Sequence, residues 1–202
     1  MAAALLLALW LAPAAARNAP VDGPAAREQV RACMAVGTPA EDALAACRKA
    51  LELGVNRDWA GSIRLLMARK LIERQRWDDA VSVYRELAAA QPAEAQAHAR
   101  LGHALLYGKG DAEAALSALR EAVRLDPRDV SARAALAAAW NALGRHEEAK
   151  QACDELSREA GSPLQNRPGA AAICAAAAQR AVWPAAPRAS ETVAPEERPE
   201  RR

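Results

Sequence analysis

Residues 95–129 read AQAHARLGHALLYGKGDAEAALSALREAVRLDPRD: a helix-forming run, a turn at Gly110-Asp111-Ala112, a second helix-forming run, and a break at Asp126-Pro127. The same pattern recurs on both sides at a nearly constant period. Met67-Ala68, Leu101-Gly102 and Leu136-Ala137 stand 34 and then 35 residues apart, and Ala80, Ala115 and Ala149 stand 35 and then 34 apart. Tyr84, Leu119 and Cys153 keep that register, as do Leu87, Ala122 and Leu156. Turn segments fall between the paired positions, at Gln75-Arg76-Trp77, Gly110-Asp111-Ala112 and Gly144-Arg145-His146, and Gln91-Pro92 closes the earlier unit as Asp126-Pro127 closes the middle one. Each unit is a helix, a tight turn, a second helix and a break.

A single helix pair cannot bury its own apolar face, whereas several stacked pairs share one continuous core. Antiparallel helices approach closely only where side chains are small, so Gly102 or Ala137 is expected to face Ala115 or Ala149. Leu101, Leu105, Leu119 and Leu125 then fill the layers of the middle unit, and Leu136, Trp140, Leu143 and Leu156 those of the next. This arrangement resembles the tetratricopeptide repeat, a 34-residue unit with a large residue, Leu-Gly, an aromatic, a small Ala, an aromatic and a closing Pro. Residues 95–129 carry the resemblance best. His98 stands where the family often has Trp, Leu101-Gly102 is intact, Leu105 replaces an aromatic, and Ala115 and Ala122 are the small residues of the second helix. One extra residue sits in the turn between Tyr107 and Asp111. Flanking units span 61–94 and 130–163. The resemblance implies an all-α fold, a right-handed superhelical solenoid of antiparallel helix pairs. Residues 25–54, turning at Gly37-Thr38-Pro39, form a degenerate N-terminal pair, and 168–183 a C-terminal capping helix.

Composition agrees with helices. The chain has 202 residues, 52% of them hydrophobic, no Phe, and alanine as its commonest residue. Lys and Arg total 27 against 25 acids, a net charge of +2, too balanced to bind nucleic acid or an anionic membrane through bulk charge. Residues 1–16 carry no charged side chain: an apolar run from Ala2 to Ala12 is followed by Pro13 and Ala14-Ala15-Ala16. That order reads as an export signal cleaved after Ala16, with a run too short for the ~20 residues of a spanning helix, so no membrane span is expected in the mature chain. No Lys or Arg precedes the run, and an uncleaved anchor is the alternative. Residues 17–24 read as a linker. Residues 184–202, with Pro184, Pro187, Pro195 and Pro199 among Ala, Ser, Glu and Arg, read as a disordered tail. The expected location is periplasmic or secreted.

Four cysteines, Cys33, Cys47, Cys153 and Cys174, form no Cys-x-x-Cys pair. Cys33 and Cys47 fall on the two helices of the N-terminal pair, and Cys153 and Cys174 on the last repeat helix and the cap. In an oxidising compartment each pair would staple one end; four buried thiols acting as small hydrophobes are the alternative.

Catalytic chemistry is not indicated. His98 and His103 lie five apart, about 140° around a helix, and cannot chelate together, and His146 lies in a turn, so no metal site is expected. Asp78-Asp79 and Glu147-Glu148 follow turns, where carboxylates favour a helix start. No cofactor is indicated. The remaining candidate is the groove that first helices present in the tetratricopeptide family, where a partner's peptide lies. Register assigns to it Arg69, Ile72 and Glu73, then Gln96, His103 and Tyr107, then Ser131, Ala138 and Asn141. At the positions of the family's Lys/Asn carboxylate clamp stand Leu65, Ala99, Ala134 and Ala138, which argues against a chaperone-adaptor role. The expected function is a non-enzymatic protein-interaction scaffold or assembly factor; the alternative is an accessory or regulatory subunit of a cell-envelope enzyme or secretion complex. Oligomeric state is not legible.

Overall fold

The computed structural model describes residues 23–158 and 168–178. The expected signal at 1–16, most of the linker, the close of the third unit, the last residues of the cap and the tail at 184–202 lie outside the described residues. Every regular element described is helical: α1 (Pro24–Met34), α2 (Ala40–Glu52), α3 (Arg57–Glu73), α4 (Trp77–Ala90), α5 (Ala95–His103) running into a π-helical turn (Ala104–Lys109), α6 (Ala112–Leu125), α7 (Val130–Ala142), α8 (His146–Arg158) and α9 (Pro168–Ala178). The chain divides into two compact units, 1–70 and 71–202.

In the first unit, Pro24 opens α1, where its missing N–H and fixed φ cost nothing. Ala26, Val30 and Cys33 recur at helical spacing on the buried face of α1, opposite Ala43, Leu44, Ala46, Cys47 and Ala50 of α2. Gly37, at φ +85°, makes the expected turn. Cys33 and Cys47 are joined by a disulfide with Cα atoms 4.8 Å apart, and both are fully buried. Asn56 starts α3, its Oδ1 accepting from Trp59 N at 2.9 Å.

The second unit is a stack of helix pairs, α5 with α6 and α7 with α8, the pairs meeting through α6 and α7, and α9 packed on both α7 and α8. Small side chains set these contacts. Ala99, Ala122 and Ala132 form one cluster, and Ala137, Ala149 and Cys153 another with Trp140 against it, so Ala137 meets the expected partner. A methyl group on Gly102 would sit 2.4 Å from Leu119 Cγ, so the missing side chain of Gly102 makes room for that leucine. A second disulfide, with Cα atoms 5.4 Å apart, ties Cys153 of α8 to Cys174 of α9.

First helices of this unit end alike. Gln75, Gly110 and Gly144 occupy one repeat position, at φ +58°, +69° and +74°. After Gln75 and Gly144 the next N–H reaches five residues back, Arg76 to Leu71 O and Arg145 to Trp140 O, each 2.9 Å, which closes a Schellman turn. In the middle unit Asp111 N reaches six back, to Leu105 O at 2.9 Å. The extra residue of that unit is therefore absorbed by the π-helical end of the first helix rather than by a longer loop. Gly108 within the π turn lies under the ring of Trp77, where a Cβ would come within 2.2 Å of Trp77 Cε3.

Acidic residues start the following helices. Asp111 Oδ1 accepts from Ala114 N at 3.0 Å, and Asp129 Oδ1 from Ser131 N and Ala132 N at 2.8 and 3.1 Å. Asp126 Oδ1 accepts from Arg128 N at 3.0 Å, so the Asp-Pro-Arg-Asp break both closes one unit and caps the next. Asp79 pairs with Arg76, Glu148 with Arg145, each at 2.7 Å, and Asp78 with Lys109. These carboxylates are structural. Exposed pairs of this kind add little to stability.

Gln75 takes a left-handed conformation that its two counterparts reach with glycine. Gln75→Gly is expected to stabilise the protein by about 1 kcal/mol in urea unfolding, and Gly144→Ala to destabilise it by at least as much. Gly108→Ala is expected to cost about 1–3 kcal/mol through contact with Trp77, and a double-mutant cycle with Trp77→Ala should recover part of that cost.

Candidate functional site

The second unit holds a cavity of about 370 Å³ on the face of its first helices. His103 and Tyr107 line it from α5 and the π turn, Ser131 and Ala134 from α7, and Gly169, Ala170 and Ile173 from α9. The positions follow from the helix screw. Gly102 backs onto Leu119 of α6, so the next residue, His103, is rotated away from the second helix, and Tyr107 follows one turn later on the same side. Their rings are tilted by 56° with centroids 5.8 Å apart. Ala134 and Ala170 also belong to the core beneath, with Val130 and Leu156, and Ile173 packs against that cluster.

Both titratable side chains are electrically neutral at pH 7. Burial lowers the pKa of His103, opposed by the Ser131 backbone and the Asp129 carboxylate, while Arg100 reinforces the lowering. Burial also pushes the Tyr107 phenol up to about 12. The cavity therefore offers uncharged hydrogen-bonding groups, an imidazole and two hydroxyls, in a frame of Ala and Ile. Such a setting suits an apolar side chain flanked by polar backbone better than an ion.

The structure brings His103, Tyr107 and Ser131 together, and it distributes the other expected groove residues elsewhere. Gln96 is exposed and donates from Nε2 to Asp129 Oδ2 at 3.2 Å, which bridges α5 to the cap of α7. Arg69 and Glu73 are exposed on α3. Asn141 is a correction: it is only 2% exposed, and its Oδ1 accepts from His146 Nδ1 at 2.7 Å, so it ties the end of α7 to the start of α8 instead of facing a partner. Ala138 is likewise buried. The physical reason is that α7 touches α6, α8 and α9, which leaves little of it open. Register alone missed the wall supplied by α9. Ile173, the one large aliphatic side chain of that helix, was the signal that its face turns inward.

The first unit has its own concavity of about 550 Å³, with Val30, Met34, Val55 and Trp59 in its lining and Arg27 and Arg31 beside them. Met34 is 56% and Trp59 42% exposed. Among the described residues no group of three His, Cys, Asp or Glu side chains could hold a metal ion, and no helix is long and apolar enough to cross a membrane.

Comparison with known proteins agrees with the geometry. The tetratricopeptide-repeat family profile matches residues 106–176. Among solved structures, the MamA RS-1 ArsTM double mutant is similar with a TM-score of 0.56 and 24% identity, over 73% of this chain and 82% of that one. The TPR2AB-domain:pHSP90 complex of yeast Sti1 is similar with a TM-score of 0.52 and 16% identity, over 69% of this chain and 64% of that one. At such identities the likeness is one of fold. No curated protein sequence matches the chain.

The lowered pKa of His103 sets a pH dependence. Well above the ordinary value of 6.5 the residue is neutral in both folded and unfolded chains; as pH falls through that value the unfolded chain takes up the proton first, so stability falls as pH drops. Glu121, held low by its hydrogen bond to Arg124, and Glu148, held low by its bond to Arg145, titrate below this window. Thermal unfolding between about pH 7.5 and 5 should show a declining Tm, and His103→Gln should flatten the decline.

Proposed function

We propose that this chain, whose residues 106–176 match the tetratricopeptide-repeat family, is an exported, non-enzymatic scaffold that holds a segment of a partner protein against the first helices of its second unit. The observation that carries this reading is the cavity built by His103, Tyr107, Ser131 and Ala134 and walled by α9. Its volume, about 370 Å³, lies near the low end of the roughly 300–1,000 Å³ of small-molecule pockets, a size for one anchoring side chain rather than for a cofactor. A leucine or aromatic side chain of the partner enters it, and the partner's backbone exchanges hydrogen bonds with the neutral His103 imidazole and the Tyr107 and Ser131 hydroxyls.

A free carboxylate is not the anchor in this reading. None of the residues lining the cavity carries a formal charge at pH 7, and Ala99, Ala134 and Ala138 are buried alanines where the family's clamp would need Lys or Asn. The similarity of fold to a Sti1 domain in complex with pHSP90 supports protein binding in general, not that partner. Two disulfides support export, since such bonds persist in oxidising compartments.

The test is affinity capture from the chain's own cell envelope, with Tyr107→Ala and His103→Ala variants whose helicity matches the parent run beside it. Loss of a central aromatic anchor should weaken a retained partner by about thirty-fold, ~2 kcal/mol. Undiminished affinity in folded variants would place the contact on another surface.

A further inference from the structure

The two disulfides differ in a way that their sequence spacing does not reveal. Cys33 and Cys47 are both 0% exposed, sealed between α1 and α2. Cys153 is 5% exposed, Cys174 is half-buried, and both border a second cavity of about 290 Å³ shared with Lys150, Asp154 and Ser157. A thiol entering that cavity comes up against both cysteines. Accessible disulfides are the ones that exchange, whereas sealed ones resist it.

What this bond holds is also different. α9 reads Pro-Gly-Ala-Ala-Ala-Ile-Cys-Ala-Ala-Ala-Ala, and apart from the cysteine its only large apolar side chain is Ile173. Ala170 and Ile173 pack on Val130, Ala134 and Leu156, and Cys174 closes the cluster of Ala137, Ala149 and Cys153. Eleven residues are too few to form a stable helix in water without tertiary support. With so little side-chain surface to dock, α9 has a covalent tether beside its packing on α7 and α8. The same helix contributes Gly169, Ala170 and Ile173 to the wall of the His103–Tyr107 cavity.

We propose that Cys153–Cys174 is a thiol–disulfide exchange site, reduced by a protein dithiol, and that its reduction releases α9 and opens the His103–Tyr107 cavity along one side. The thiolate of the dithiol attacks Sγ of Cys174, the more exposed residue of the two, and the S–S bond breaks with its electron pair going to Sγ of Cys153, which takes a proton. The second thiol of the reductant then attacks the mixed disulfide, freeing Cys174 as a thiolate that is protonated in turn. Two electrons and two protons pass to the protein, and the reductant leaves as its own disulfide. The effect on partner binding rests on the function proposed above; the exchange site and the release of α9 do not.

The experiment treats the exported chain under native conditions with graded dithiothreitol, alkylates the free thiols, maps them by mass spectrometry, and follows amide hydrogen exchange over the same series. Cys153 and Cys174 should become labelled on the order of tenfold faster than Cys33 and Cys47. Exchange of the amides of 168–178 should rise by more than about tenfold, while α1 and α2 stay protected. A Cys153→Ser/Cys174→Ser variant should show the same unprotected α9 without reductant. Equal labelling of the two pairs, prior labelling of Cys33 and Cys47, or an α9 that keeps its protection after reduction would each overturn the proposal. Reduction of the parent chain reads the outcome even if the double variant fails to fold. Because these readouts involve no partner, they stand apart from the capture experiment, so failure of one reading is not mistaken for failure of the other.

Discussion

Close approach between helices whose buried faces are largely alanine is the constraint on which the rest of this structure depends. Ala99, Ala122 and Ala132 meet in one layer of the second unit, and Ala137 and Ala149 in another. Small side chains let the helices come together, but each buries little apolar area, at roughly 25 cal/mol per Å². The fold therefore draws on other sources of order: side-chain caps at Asp111 and Asp129, Schellman closures at the ends of first helices, and a disulfide in each unit. Larger side chains enter where the backbone yields space, as Leu119 does against Gly102.

The middle repeat shows how a one-residue insertion is absorbed without loss of register. A longer loop would have left Ala112 and the residues after it in place but exposed more backbone at the turn. Instead the last turn of the first helix widens to π geometry, Asp111 N reaches Leu105 O, and Gly108 fits beneath Trp77. The insertion falls within the segment that carries Tyr107, so the local departure from the family period and the candidate site share the same residues. π turns inside α-helices recur at functional positions for the same reason: they re-aim a side chain within an otherwise regular frame.

α9 covers part of the core with Ala170 and Ile173, and it also supplies a wall of the cavity beside His103 and Tyr107. A covalent bond to α8 adds to the hold on a helix with one isoleucine. Covering the core and shaping the site are thus two consequences of one packing event.

Periodicity in the sequence determined the helix pairs and their turns, because a repeat of 34 or 35 residues leaves a packed chain few arrangements that bury every apolar face. It also brought His103 and Tyr107 to the face away from the second helix, since residues one turn apart share a side. Three features were decided only by tertiary structure. Asn141 left the groove for a bond with His146 because α7 is enclosed by three other helices. The extra residue went into a π turn, where Trp77 leaves room at Gly108 for a glycine backbone and for no side chain. The cavity acquired its third wall because α9 folds back on Val130 and Ala134, and a helix of alanines with one isoleucine carries little local signal of where it will dock.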